Sequence, residues 1–160
     1  MSKNSNSGKE RQAAGNIIQI LADLPDFVRK PMLQSRLKEF YQMDPVTKSD
    51  TIRLALSAAP TVAPAKLGVL LKTWLELLAQ FDADKRTLMF HTYCQELLKL
   101  QQSEIEKLDL RLVSSVFLSV AEPARQVLKD SIHEVLLSTP NRERLLRVAP
   151  GYLLSALGLN

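Results

Sequence analysis

Residues 64–81 read PAKLGVLLKTWLELLAQF. Leu67, Leu70, Leu71, Trp74, Leu78 and Phe81 recur at the three- and four-residue spacing of one helix face. Val69, Leu75 and Leu77 fall off that stripe, so the segment is apolar nearly all round. A helix of this kind is expected near the centre of its domain. It opens on proline, whose missing N–H costs nothing in the first helical turn.

The same punctuation extends upstream. Pro25, Pro45 and Pro64 lie 20 and 19 residues apart, and Asp82 follows 18 residues later. Asp44–Pro45 combines a side-chain acceptor at the N-cap with proline at the first helical position. Ala63–Pro64 has the proline alone, and Phe81–Asp82 the cap alone. These marks predict helices over 26–42, 45–58, 64–80 and 82–101. Pro31 interrupts the first of them, predicting either a later start or a kinked first turn. Ile52, Ala55, Leu56 and Ala59 supply the stripe of the 45–58 helix.

Before Pro25, Ile17, Ile20, Leu21 and Leu24 predict a helix over about 10–22. It ends where Leu24 precedes proline. Residues 1–9 are Ser, Asn, Gly and Lys with almost nothing apolar, and read as a disordered tail. Downstream, Ser103-x-x-Glu106 reads as a capping box. Val113, Val116, Phe117 and Val120 form another stripe, and Val127, Leu128, Ser131, Ile132, Val135 and Leu136 a further one after Glu122–Pro123. A short helix from Thr139–Pro140 to about Val148 and a last segment over 152–157 complete the chain.

Composition agrees with this pattern. The chain has 29 Leu against 10 Val and 6 Ile, and leucine loses little rotamer freedom in a helix. The expected fold is all-α, a single domain over 10–160 of about eight antiparallel helices with short connections. Two successive helices span about 38–39 residues, within the range of paired-helix repeats. A compact bundle and a short HEAT-like stack both satisfy that spacing.

Charge and motifs exclude several function classes. The formal net charge is +4. Lys3, Lys9, Arg11 and Glu10 near the start, and Arg142, Arg144, Arg147 and Glu143 near the end, account for all of it. The 127 residues between are balanced, which argues against a broad nucleic-acid groove. The start, MSKNSNSGKERQ, has no apolar core of a secretory signal, and no apolar run reaches a membrane span. A cytoplasmic location is the expectation.

No phosphate-binding glycine loop, nucleophile elbow or HExxH helix occurs. His91 and Cys94 share a helix face, but Cys94 is the single cysteine and His133 the only other histidine, short of a zinc ligand set. Cys94 lacks the positive, accessible setting of a nucleophile, and Asp130-x-x-His133 lacks the second copy a di-iron bundle requires. No catalytic residue, metal site or cofactor is expected.

What is left is a non-catalytic helical module for protein–protein interaction, a scaffold or adaptor. The alternative is a nucleic-acid-associated protein using its basic ends. The candidate partner-binding residues are Arg142, Arg144 and Arg147, followed by the apolar Tyr152, Leu153 and Leu157. Arginine pairs bidentately with carboxylate and phosphate alike. The same apolar segment has a plainer reading, in which it folds back onto the helices. The surface near Phe40 and Tyr41 is a second candidate. Homodimerisation is the further expectation for a helix stack with open ends.

Overall fold

The computed structural model describes the backbone of residues 2–159 and the side chains of residues 8–159. Met1 of the expected tail and the side chain of Lys3 lie outside the described residues. The fold is all-α, 82% helical, with no strand among the described residues. No helix there is long and apolar enough to cross a membrane.

Among the described residues ten α-helices follow in order: α1 Ser2–Asp23, α2 Asp26–Gln42, α3 Pro45–Ala58, α4 Pro64–Leu78, α5 Ala83–Lys99, α6 Gln102–Ile105, α7 Leu110–Ser119, α8 Ala124–Ser138, α9 Arg142–Val148 and α10 Gly151–Ala156. A 3-10 turn, Ala59–Thr61, joins α3 to α4. Contacts along the stretch read as one domain gather in two compact units, Met1–Leu70 and Leu71–Asn160. The boundary falls within α4.

The helix starts follow the caps. Asp44 accepts from the Thr47 N–H at 2.8 Å and from its hydroxyl at 3.1 Å, which holds the carboxyl below the usual carboxylate range. Asp82 accepts from Lys85 N–H at 3.0 Å, and Asp109, which the sequence reading passes over, accepts from Leu112 N–H at 3.0 Å. The expected capping box at Ser103 and Glu106 lies two residues earlier. Glu104 accepts from the Gln101 N–H at 3.1 Å, because α6 already begins at Gln102.

α1 begins at Ser2, so residues 2–9, read from sequence as a tail, lie in helical backbone. That stretch contains no proline, and extending an existing helix costs far less than nucleating one. α2 runs through Pro31 without restarting. The lost bond belongs to the Phe27 carbonyl, and Phe27, Lys30 and Pro31 are exposed, so that turn lies open to solvent.

In the first unit α1 packs along α3 and joins α2. Leu21, Leu33, Leu37, Phe40, Ile52, Ala58 and Val62 are buried. Ile17 and Ile20, grouped with Leu21 by spacing, are exposed instead.

Gly15 sets how closely α1 approaches the 3-10 turn: a Cβ built there would sit 2.9 Å from Thr61 Oγ1. That hydroxyl cannot easily swing away, since it donates to the Ala58 carbonyl at 2.6 Å. Gly15→Ala gains ~1 kcal/mol of helix propensity but incurs ~1–3 kcal/mol of overpacking. The expected net is a loss of about 1 kcal/mol in urea unfolding. In a Thr61→Ala background the same change becomes neutral or stabilising, and equal effects in both backgrounds would refute the close-approach account.

In the second unit α5 packs on α8 and α9, and α7 packs on α10. Leu78, Met89, Val120 and Leu128 are among its most buried side chains. Trp74, expected in the core, is half-buried, edge-on to Phe90 and Tyr93 with centroids 6.5 and 5.5 Å away. On α4, Leu75 and Leu77 are buried more deeply than Leu67, Leu70 and Leu71 of the named stripe, and Val69 is exposed.

An arginine bonding back to a carbonyl of the preceding turn recurs in each unit, buried at Arg29 and half-buried at Arg86. Arg29 is the fourth residue of α2, and its Nη1 donates back to the carbonyls of Leu24 and, at 3.4 Å, Ala22. Its Nη2 pairs with Asp26. Arg86 is the fourth residue of α5; Nη1 donates to the Phe81 carbonyl and Nε to Ser131 Oγ at 2.9 Å. Each guanidinium satisfies carbonyls at or just beyond the end of the preceding helix, where a cation also complements the helix dipole.

Candidate functional site

The chemistry-bearing side chains of the second unit are tied up structurally. His91 and Cys94 lie on α5, both half-buried. Burial pushes the Cys94 thiol up to about 11, the opposite of what an activated nucleophile requires. His133 on α8 sits 2.7 Å by Nε2 from the Leu157 carbonyl, so that nitrogen serves as a donor closing the chain end. Asp130 accepts from Gln126 Nε2 at 2.9 Å. Among the described residues no group of three or more His, Cys, Asp or Glu is disposed to hold a metal ion.

The six candidate partner-binding residues divide into two sets. Arg142, Arg144 and Arg147 on α9 are exposed. Tyr152, Leu153 and Leu157 are half-buried in the segment whose helix, α10, packs on α7. The Arg111 guanidinium lies 4.4 Å from the Tyr152 ring centroid, so that ring already has a cation over it. After α10 the chain closes with Leu159 N–H on the Leu154 carbonyl at 2.8 Å and Gly158 N–H on the Ser155 carbonyl at 3.0 Å. This Schellman pattern needs Gly158 at φ +70°, a backbone conformation only glycine adopts freely.

The α9 arginines are poorly engaged. Arg142 Nη1 reaches the Leu137 carbonyl at 3.5 Å and Arg147 Nε the Glu143 carbonyl at 3.4 Å, both at the long limit of a hydrogen bond. None of the three forms an ion pair among the described residues. Leu145 is buried and points α9 inward. Arg147 lies nearly opposite Leu145, Arg144 about 100° round from it, and Val148 on the flank one turn from Leu145.

Beside Arg142 is a residue the sequence reading missed. Leu137, at the end of α8, is 75% exposed. With Ser138, Thr139, Pro140, Arg142 and Glu143 it lines an open notch at the α8–α9 corner. The signal was present in the sequence: Leu128, Ser131 and Val135 fix the inward face, and Leu137 falls off it.

The second expected surface is not an apolar strip. Phe40 is buried and Tyr41 half-buried, edge-on to each other at 5.4 Å. Elsewhere in the first unit Phe27 (80% exposed), Val46 and Ile20 stand out as exposed apolar side chains. No family model, curated protein or solved structure matches the chain, so the corner's own geometry carries the functional argument.

Proposed function

We propose that this chain is a non-catalytic helical interaction module, a scaffold or adaptor, that docks a protein partner at the α8–α9 corner. Support comes chiefly from one observation: Leu137, three-quarters exposed, shares a notch with Arg142, and Arg142, Arg144 and Arg147 on the same short helix are exposed and lack ion-pair partners among the described residues. Arginine is enriched at binding hot spots, and an exposed aliphatic side chain beside it gives a partner apolar surface to cover. Nucleic acid is the competing ligand class, motivated by the same arginines.

The test compares wild type with an Arg144→Glu/Arg147→Glu/Leu137→Asp variant, each purified by tag from native lysate under nuclease. All three positions are exposed, so the variant is expected to keep its helical circular dichroism. The expected result is a stoichiometric protein that survives nuclease and falls at least tenfold in the variant. Recovery that vanishes with nuclease, or steep loss of binding with salt, moves the assignment to nucleic acid.

A further inference from the structure

We infer that the α8–α9 corner is built for an acidic amphipathic peptide segment, one presenting carboxylates on one side of an apolar anchor. The inference rests on the interaction-module reading and names its partner class. The Arg144 side chain makes no hydrogen bond or ion pair among the described residues, and the Arg142 and Arg147 side chains make only long bonds, to the Leu137 and Glu143 carbonyls. Each guanidinium keeps most of its five donors available, in a fork that matches a carboxylate.

Arg144 and Arg147 are neighbours on one helix face, about 5–6 Å apart at Cβ. Carboxylates three or four residues apart on a bound helix have the same spacing, so two fork-to-fork pairs form without distortion. The local carboxylate that could compete is Glu143, itself exposed on the notch wall. Its neighbours Arg142 and Arg144 leave the turn positive. Glu134 and Asp130, on α8, are also exposed, and Asp130 is engaged by Gln126.

The apolar members select among anions. Leu137 forms part of the notch, and Val148, exposed on the flank of α9, is the i+4 neighbour of Arg144. A phosphate backbone has nothing to place on two aliphatic side chains. A peptide carrying leucine or phenylalanine beside its carboxylates covers them and excludes water from the charged pairs, which strengthens those pairs. The chain's balanced interior charge points the same way, since nucleic-acid affinity draws on basic residues spread over a face.

The experiment is selection of a random-peptide display library on the full chain at physiological salt, with the winners re-assayed by fluorescence anisotropy. They are measured against wild type, Arg144→Glu/Arg147→Glu, Leu137→Asp, and Arg144→Lys/Arg147→Lys. The expected winners carry two or more Asp or Glu next to an aliphatic or aromatic residue. Their affinity falls at least tenfold on charge reversal and on Leu137→Asp. It falls less with the lysine pair, which keeps charge without the fork. Winners that are neutral or basic, or that bind the charge-reversed variant equally, overturn the inference and leave the module reading standing. A library that yields no binder overturns both, whether or not a labelled single-stranded oligonucleotide binds wild type.

Discussion

Arg29→Met lowers the stability of the first unit by about 2–4 kcal/mol, although methionine keeps most of the buried aliphatic stem. Arg29 is 6% exposed, and its guanidinium donates to the carbonyls of Leu24 and Ala22, beyond and within the last turn of α1. A methionine sulfur supplies no donor, so acceptors placed under the α1–α2 turn lose their partner without regaining water. Asp26 at the same time loses the cation it pairs with, but its side chain is largely exposed and adds little. Arg29→Lys recovers only part of the loss, because one ammonium cannot reproduce the fork that reaches two carbonyls and a carboxylate. Urea unfolding with hydrogen exchange on α1 and α2 amides is the measurement. The midpoint falls while the denaturant slope stays fixed, as expected for a native-state effect. Wild-type protection of the α1 C-terminal amides in Arg29→Met would show that the guanidinium is dispensable.

Arg29 and Arg86 also mark the limit of what the sequence discloses. Helix boundaries were legible because proline and aspartate act locally: Asp44, Pro45, Pro64 and Asp82 place α3, α4 and α5 within two residues at either end. Periodicity then ranked the inward face of α8 correctly, with Leu128, Ser131 and Val135 buried. Burial of an arginine has no such local signature. It depends on which carbonyls the next turn leaves open, and arginine by itself counts as a surface residue. Angular position fails for a related reason on α1. Leu21 is buried while Ile17 and Ile20, on the same nominal stripe, are exposed, because the neighbouring helices cover only part of that stripe.

The candidate site was half legible. Clustering of Arg142, Arg144 and Arg147 near an apolar stretch drew attention to the C-terminal region. Sequence could not separate the two halves of that stretch. α9 has only Leu145 buried, so its arginines face outward, whereas α10 packs on α7 and closes on His133. Leu137 belongs to the preceding helix and joins the arginines only because the α8–α9 turn is short.

The second large effect is a loss of stability in alkali, confined to the unit that contains α5. Burial pushes the Cys94 thiol from 9.0 to about 11 and the Tyr93 phenol from 10.0 to about 12, with no charged partner contributing in either case. Both groups are neutral when protonated, so the folded state holds its protons at pH values where the unfolded chain has released them. Their contribution is therefore complete below about pH 9 and 10 respectively, and is lost as pH rises through 11 and 12. At 1.36 kcal/mol per pH unit, reduced because both side chains are only half-buried, each group accounts for about 1–2 kcal/mol. Lysines deprotonate over the same range, so the decisive comparison is between variants. Cys94→Ala removes the part of the slope that begins near pH 9. Tyr93→Phe, which keeps the ring edge-on to Trp74, removes the part that begins near pH 10. Urea midpoints from pH 8 to pH 12 for wild type, both single variants and the double variant measure this directly. Thiol labelling of the folded protein gives an independent reading, slow at pH 8 and rising with thiolate toward pH 11. If wild type and the double variant lose stability in parallel, neither group is held neutral by the fold, and the packing of α5 beneath Trp74 is looser than the contacts described for it.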